Sequence, residues 1–143
     1  MKKIMFSDAY GLTQAVLDGR KTQTRRLVPK SIFQSEHDID DDKRKIWIED
    51  KYGDWHDVRK SIYFYKVGEV VAVAQAYREI AHPNDGFLDD RYEVKDEYVA
   101  GWSNKMFVRA DLMPHRIHIT DVRAERLNDI SESDCLAEGV EMV

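Results

Sequence analysis

The chain has 143 residues, 43% of them hydrophobic and 34% charged, with a formal net charge of −5. That length suits one domain with a real core, and seven glycines with three prolines are too few for a collagenous, mucin-like or low-complexity linker protein. The acidic balance excludes capture of nucleic acid by bulk charge, so any anion site must be a local basic patch.

In chain order, Ser7 or Asp8 is an expected helix N-cap, Leu12, Ala15 and Val16 follow at helical spacing, and Gly19 sits where a C-terminal cap belongs, which predicts a short helix over 8–18. Five cations and no acid lie between Gly19 and Ser35, and five acids follow between Glu36 and Asp42. That second stretch, running on to about Lys45, reads as an exposed acidic loop. Strands are expected over 46–48, over 62–65, and over 70–77 entered through Gly68. Residues 81–104, rich in charge and containing His82-Pro83-Asn84-Asp85-Gly86, read as a long insertion loop with room for a local hairpin. Two more strands are expected over 106–109 and 116–123. Last, Ser131 and Asp134 form a capping box, Ile130 and Cys135 are placed for a hydrophobic staple, and Gly139 closes a helix over about 132–138.

A single cysteine, Cys135, excludes an internal disulfide and a cysteine-based zinc site, and a lone thiol suits a reducing compartment. Residues 1–6 carry the charge of a signal n-region, but Ser7 and Asp8 interrupt at once and no apolar h-region follows. The longest aliphatic run, 70–74, is far short of the ~20 residues that a membrane span needs. The expectation is a cytoplasmic protein without membrane association.

The basic run 20–26 is the strongest chemical feature. In an extended segment alternate residues share a face, which puts Arg20, Thr22, Thr24 and Arg26 on one side and Lys21, Gln23 and Arg25 on the other. A turn at 19–21 would break that parity and bring Lys21 to Thr24. Guanidinium groups and a lysine around two hydroxyls suit a phosphate or a polarised carbonyl, and flanking positive charge disfavours protonation of a lysine among them. The same run also reads as a solvated basic strand. None of the five histidines, His37, His56, His82, His115 and His118, has metal-ligand spacing, so no metal is expected. Neither a Gly-rich phosphate loop nor a nucleophile elbow is present. Aromatics such as Tyr63, Phe64, Tyr65, Trp47, Trp55 and Tyr77 read first as core, with base stacking as the alternative. Glu138, an acid at a helix C-terminus where the dipole slightly disfavours it, hints at another use.

Two segments together resemble a known family. Leu17-Asp18-Gly19-Arg20-Lys21-Thr22-Gln23-Thr24-Arg25-Arg26 resembles the N-terminal motif of ASCH domains, part of the PUA-like superfamily. The stretch 104–140 is similar to the C-terminal part of prophage-type ASCH proteins. It includes Met113-Pro114, Ile117-His118-Ile119-Thr120-Asp121-Val122-Arg123, Glu125-Arg126-Leu127, Asp129-Ile130 and Ala137-Glu138-Gly139. Lys66-Val67-Gly68-Glu69-Val70-Val71-Ala72-Val73 is similar to the family's middle strand, with Glu69 where Asp is more usual. The resemblance spans most of the chain outside 31–60 and 81–103.

It implies an α+β fold, a PUA-like (ASCH) β-barrel with short flanking helices in a single domain, 1–143, and a cleft for RNA or a modified nucleoside. Some small bacterial members are amidohydrolases that remove the acetyl group of N4-acetylcytidine. Their lysine, threonine and glutamate fall on Lys21, Thr24 and Glu138 here, the last by its place at the end of a short helix. Lys21 would take the Thr24 hydroxyl proton, Thr24 would attack the acetyl carbonyl, and Glu138 would carry a proton for the leaving amine or the hydrolytic water. Arg20, Thr22, Arg25, Arg26 and Tyr77 would contact the ligand. No cofactor is implied. The alternatives are a non-catalytic RNA- or modified-base-binding module, or a phage accessory protein acting on a host protein. Family members usually run on to a final aromatic-rich strand that is absent before Val143. The barrel would then close through a second copy of the chain, as a homodimer, or the sequence is shortened. The long loop over 81–103 would cover or occupy the cleft.

Overall fold

The computed structural model describes residues 1–60, 65–80 and 100–140. It is an α+β protein: among the described residues six strands form two three-stranded sheets, three α-helices are short, and no closed barrel is seen. The residues fall into two compact units, Met1–Gly19 with Val70–His118, and Arg20–Glu69 with Ile119–Val143.

In the first unit β5 (Val70–Val73) lies between β1 (Lys3–Ile4), parallel to it, and β6 (Arg116–His118), antiparallel. Ile4 faces Val73 across the first ladder and Val71 faces Ile117 across the second. A strand covered on both faces reads as a continuous aliphatic run, and Val71, Ala72 and Val73 are fully buried. The strand expected over 70–77 ends at Val73. Ala74 still donates to the Ile4 carbonyl at 2.9 Å, but the Gln75 amide meets Met113 Sδ and the Tyr77 amide turns to the Gly101 carbonyl, starting α2 (Tyr77–Ile80). Tyr77 packs with Ala72, Ala74, Val108 and Met113. Gly101, at φ 91°, lies against its ring: a Cβ there would meet Tyr77 Cε2 at 2.7 Å.

The helix expected over 8–18 is shorter. Ser7 to Gly11 form a turn, with the Leu12 amide on the Ser7 carbonyl, and α1 (Leu12–Leu17) starts from Gly11 rather than from a Ser7 or Asp8 cap. Asp8 is diverted, accepting from the Thr13 hydroxyl at 2.6 Å and pairing with Lys105 at 2.8 Å. The end at Gly19 is as expected, its amide on the Val16 carbonyl. The strand expected over 106–109 is instead two 3₁₀ turns, Lys105–Phe107 and Ala110–Leu112. The Asn104 side chain caps the first by accepting from the Met106 amide. Lys3 Nζ takes the Met106 and Val108 carbonyls that a ladder would have used.

The second unit holds the antiparallel meander of β2 (His37–Asp40), β3 (Lys45–Glu49) and β4 (Trp55–Asp57). The acidic stretch is thus a hairpin and not a loop. Ile39 pairs across it with Ile46, Asp40 stands opposite Lys45, and Arg44 takes the left-handed turn conformation at φ 53°. Opposite charge and an apolar pair across the ladder offset the acid density. Among the described residues Ile32, Ile46 and Val58 form a buried apolar cluster in this unit, with Val28, Ile48 and Ala124 against it. The strand expected over 116–123 stops at His118. Beyond it Ile119 only exchanges bonds with Gly68 and Glu69, at 2.8 and 2.9 Å.

The last helix is as expected. In α3 (Glu132–Ala137) Ser131 accepts from the Asp134 amide and Asp134 accepts from the Ser131 amide, closing the capping box. At the other end Gly139, at φ 86°, donates to the Leu136 carbonyl and Val140 to that of Cys135, the paired bonds of a Schellman motif. The expected staple residue Cys135 is exposed. The strand expected over 62–65 and the loop over 81–104 fall mostly outside the described residues. Among those described, no helix is long and apolar enough to cross a membrane.

Candidate functional site

A helix C-terminus leaves carbonyls without intrahelical donors and carries partial negative charge. At α3 those carbonyls are met by the segment that follows Gly19. The amides of Thr22 and Gln23 both donate to the Ala137 carbonyl, at 2.8 and 3.0 Å. Lys21 Nζ donates to the Glu138 carbonyl at 2.9 Å and to Glu138 Oε2 at 2.7 Å. It also takes the Gln23 carbonyl at 2.6 Å. The Lys21 side chain is 2% exposed and that of Glu138 21%. Lys21 is therefore a buried cation whose charged partner is a carboxylate, not the crowd of guanidinium groups that its sequence neighbours led one to expect.

Arg25 extends the cluster. Its Nη1 donates to Glu138 Oε1 at 3.1 Å, and its Nη2 lies 3.1 Å from Glu125 Oε2 and 3.4 Å from Asp134 Oδ2. Partial burial alone would lower the Arg25 pKa. The Glu125 hydrogen bond and the charges of Asp134 and Glu138 outweigh it and raise the value. Asp134 is held below the ordinary carboxylate range, by the Ser131 amide first and the Ser131 hydroxyl second, with Gln23 and Arg25 adding to them. Arg44 reaches the other oxygen of Glu125 at 2.9 Å.

The alternation expected of the basic run is therefore real, though residues 20–29 pair in no strand. Lys21, Gln23 and Arg25 all turn to α3, Gln23 Nε2 reaching Asp134 Oδ1 at 3.4 Å. Thr22, Arg20 and Arg26 are exposed and Thr24 is half-buried. Lys21 and Glu138 are thus brought together, and Thr24 lies three residues along the same segment, the acceptors described for Lys21 Nζ being those of Gln23 and Glu138. Tyr77 belongs to the other unit. It is 3% exposed, and its hydroxyl accepts from the Arg109 amide at 2.9 Å, so it is a core side chain with no ring face for a base.

Sequence reasoning missed Gln23, Glu125 and Asp134 as members of this cluster. Asp134 and Glu138 are four apart on α3 and so share its face, a signal that was readable. Glu125, in an irregular segment, offered none. Among the described residues no three His, Cys, Asp or Glu side chains gather as a metal ion would need. The chain matches no protein-family model, no curated protein and no solved structure.

Proposed function

We propose that the chain is an ASCH-type domain of the PUA-like β-barrel kind, and that it hydrolyses the N4-acyl amide of a modified cytidine. Lys21 and Glu138 are its proton-handling pair and Thr24 its nucleophile. The observation that supports this most is the 2.7 Å contact between Lys21 Nζ and Glu138 Oε2, residues 117 positions apart, the first singled out by the family motif and the second by its place at the end of a short helix. Glu138 would take a proton from the Lys21 ammonium, and the freed amine would take the Thr24 hydroxyl proton as Oγ1 attacks the acetyl carbonyl. A backbone amide or guanidinium would stabilise the oxyanion. Collapse of the adduct would release the cytidine amine, protonated from the pair, and leave an acetyl ester on Thr24. Water, deprotonated by the same pair, would then free acetate and restore Thr24. The sequence of steps requires Lys21 Nζ to exchange one of its present acceptors for Thr24 Oγ1 when substrate enters.

The engagement of Arg25 with three carboxylates also favours a small neutral nucleoside over long RNA, because that guanidinium is already committed. The alternative, a non-catalytic binding module, is favoured by the acceptors of Gln23 and Glu138 that already engage Lys21 Nζ. An acetate-release assay on N4-acetylcytidine separates them. Turnover by the parent protein, falling roughly 10²–10⁴-fold in Lys21→Ala and lost in Thr24→Ala with the fold intact by circular dichroism, is the expected result. A folded parent without turnover, or a Thr24→Ala variant as fast as the parent, overturns the hydrolytic reading.

A further inference from the structure

A cleft of ≈ 390 Å³ in the second unit is lined by Asp57, Arg59, Lys60, Lys66, Val67 and Val122, a set separate from Lys21, Thr24 and Glu138. Its lining includes an ion pair of buried Asp57 with half-buried Arg59. Asp57, 5% exposed, accepts from the Arg59 amide and from Nε through Oδ1, both at 3.0 Å, and through Oδ2 from Nε at 2.9 Å and Nη2 at 2.6 Å. Arg59 Nη1 donates to the Val122 carbonyl at 3.0 Å. The guanidinium is thus locked in one orientation by three of its five N–H bonds. One N–H on each terminal nitrogen has no partner among the described residues. Nor does any described carboxylate pair with Lys60 or Lys66, both exposed.

Among the described lining residues three cations stand against one carboxylate, and with the charge of Asp121 reaching Arg59 the cleft is still net positive on a chain whose net charge is −5. An oriented fork beside two mobile ammonium groups is the donor set for the oxygens of a phosphate. The remaining walls, Val67 and Val122, are apolar, and Val67 is 63% exposed. The volume falls within the range of small-ligand sites.

We propose that this cleft binds a phosphate monoester carried on a compact, flat apolar body. The dianion sits between Arg59, Lys60 and Lys66, and the body lies against Val67 and Val122. The inference is independent of the hydrolytic reading.

Calorimetric titration of the full chain at low salt tests it, with phenyl phosphate, inorganic phosphate and phenol as probes. Phenyl phosphate should saturate a single site, inorganic phosphate should bind more weakly, and phenol should not bind. In the Lys60→Gln/Lys66→Gln variant, which leaves the Asp57–Arg59 pair alone, the affinity for phenyl phosphate should fall by at least about tenfold. The Lys60→Arg/Lys66→Arg variant should keep it. Absence of saturable binding by the parent, or unchanged binding in the glutamine variant, overturns the site. Equal affinity for inorganic phosphate overturns the assignment of the apolar body.

Discussion

The two units of this protein reach stability by different means. The first buries a continuous aliphatic strand, Val71 to Val73, against Ile4 and the Tyr77 cluster. Its part-buried lysines Lys3 and Lys105 reach the backbone carbonyls of Val108 and Phe6, and Lys105 also pairs with Asp8. Among its described residues the second has a buried apolar cluster of Ile32, Ile46 and Val58 and a mesh of cations on carboxylates around Arg25, Arg44, Arg59 and Lys21. Apolar burial is indifferent to pH and little affected by salt, whereas ion pairs respond to both. A protein that places its proposed chemistry in the charge-held unit sets the site where titration can reach it, and leaves the apolar unit as the scaffold.

The largest blow to that contrast should come from Gly101→Ala. The new methyl group would overlap the buried Tyr77 ring at a backbone angle that alanine rarely adopts, at a cost of about 4 kcal/mol when left-handed strain and overpacking are combined. Amide hydrogen exchange should show the loss in the first unit. Protection unchanged there would refute the account of its core. Next, Glu138→Ala strips the buried Lys21 of its carboxylate, a loss of about 3 kcal/mol on the scale of broken buried pairs, read as a lower urea midpoint. Glu138→Gln, which keeps an acceptor, should recover part of it; a midpoint equal to the parent's would show that charge is not what matters.

The smallest effect concerns acid. Burial alone would raise the Asp57 carboxyl, but the Arg59 side chain and amide outweigh it and hold the group below its usual 3.8. A depressed folded value gives stability that is present above the unfolded pKa and lost as pH falls through the folded one. Asp57→Asn should therefore flatten the acid limb of a stability–pH curve below about pH 4, although it lowers stability at neutral pH. A limb as steep as the parent's would remove Asp57 from the account.

What could be read in advance was local. The capping box at Ser131 and Asp134, the stop at Gly139 and the stop at Gly19 depend on residues within a turn of each other, and each stands as expected. The parity of Lys21, Gln23 and Arg25 is a property of any extended chain. What could not be read was partnership. A two-residue strand such as β1 has no period of its own and exists because β5 accepts it. The acids of 36–42 looked like a loop because the cross-strand Ile39–Ile46 pair and the Lys45 counter-charge lie on the far side of a turn. The residues 106–109 carried strand composition but had no ladder to join, their carbonyls having gone to Lys3. Within the candidate site, the motif resemblance pointed to Lys21 and Thr24, and the place at the end of a short helix to Glu138. That Arg25 ties the carboxylates of Glu125, Asp134 and Glu138 together follows only from the fold.

The Lys21–Glu138 contact also has a temporal meaning. During synthesis at roughly 5–20 residues per second, the partner of Lys21 is made on the order of ten seconds after it, because 117 positions separate the two. Throughout that interval the ammonium has neither the Glu138 carboxylate nor the end of α3 to receive it, and stays hydrated. The segment that will carry the proposed chemistry is thus made well before α3, and it is sealed only when that helix has been made and has closed onto it.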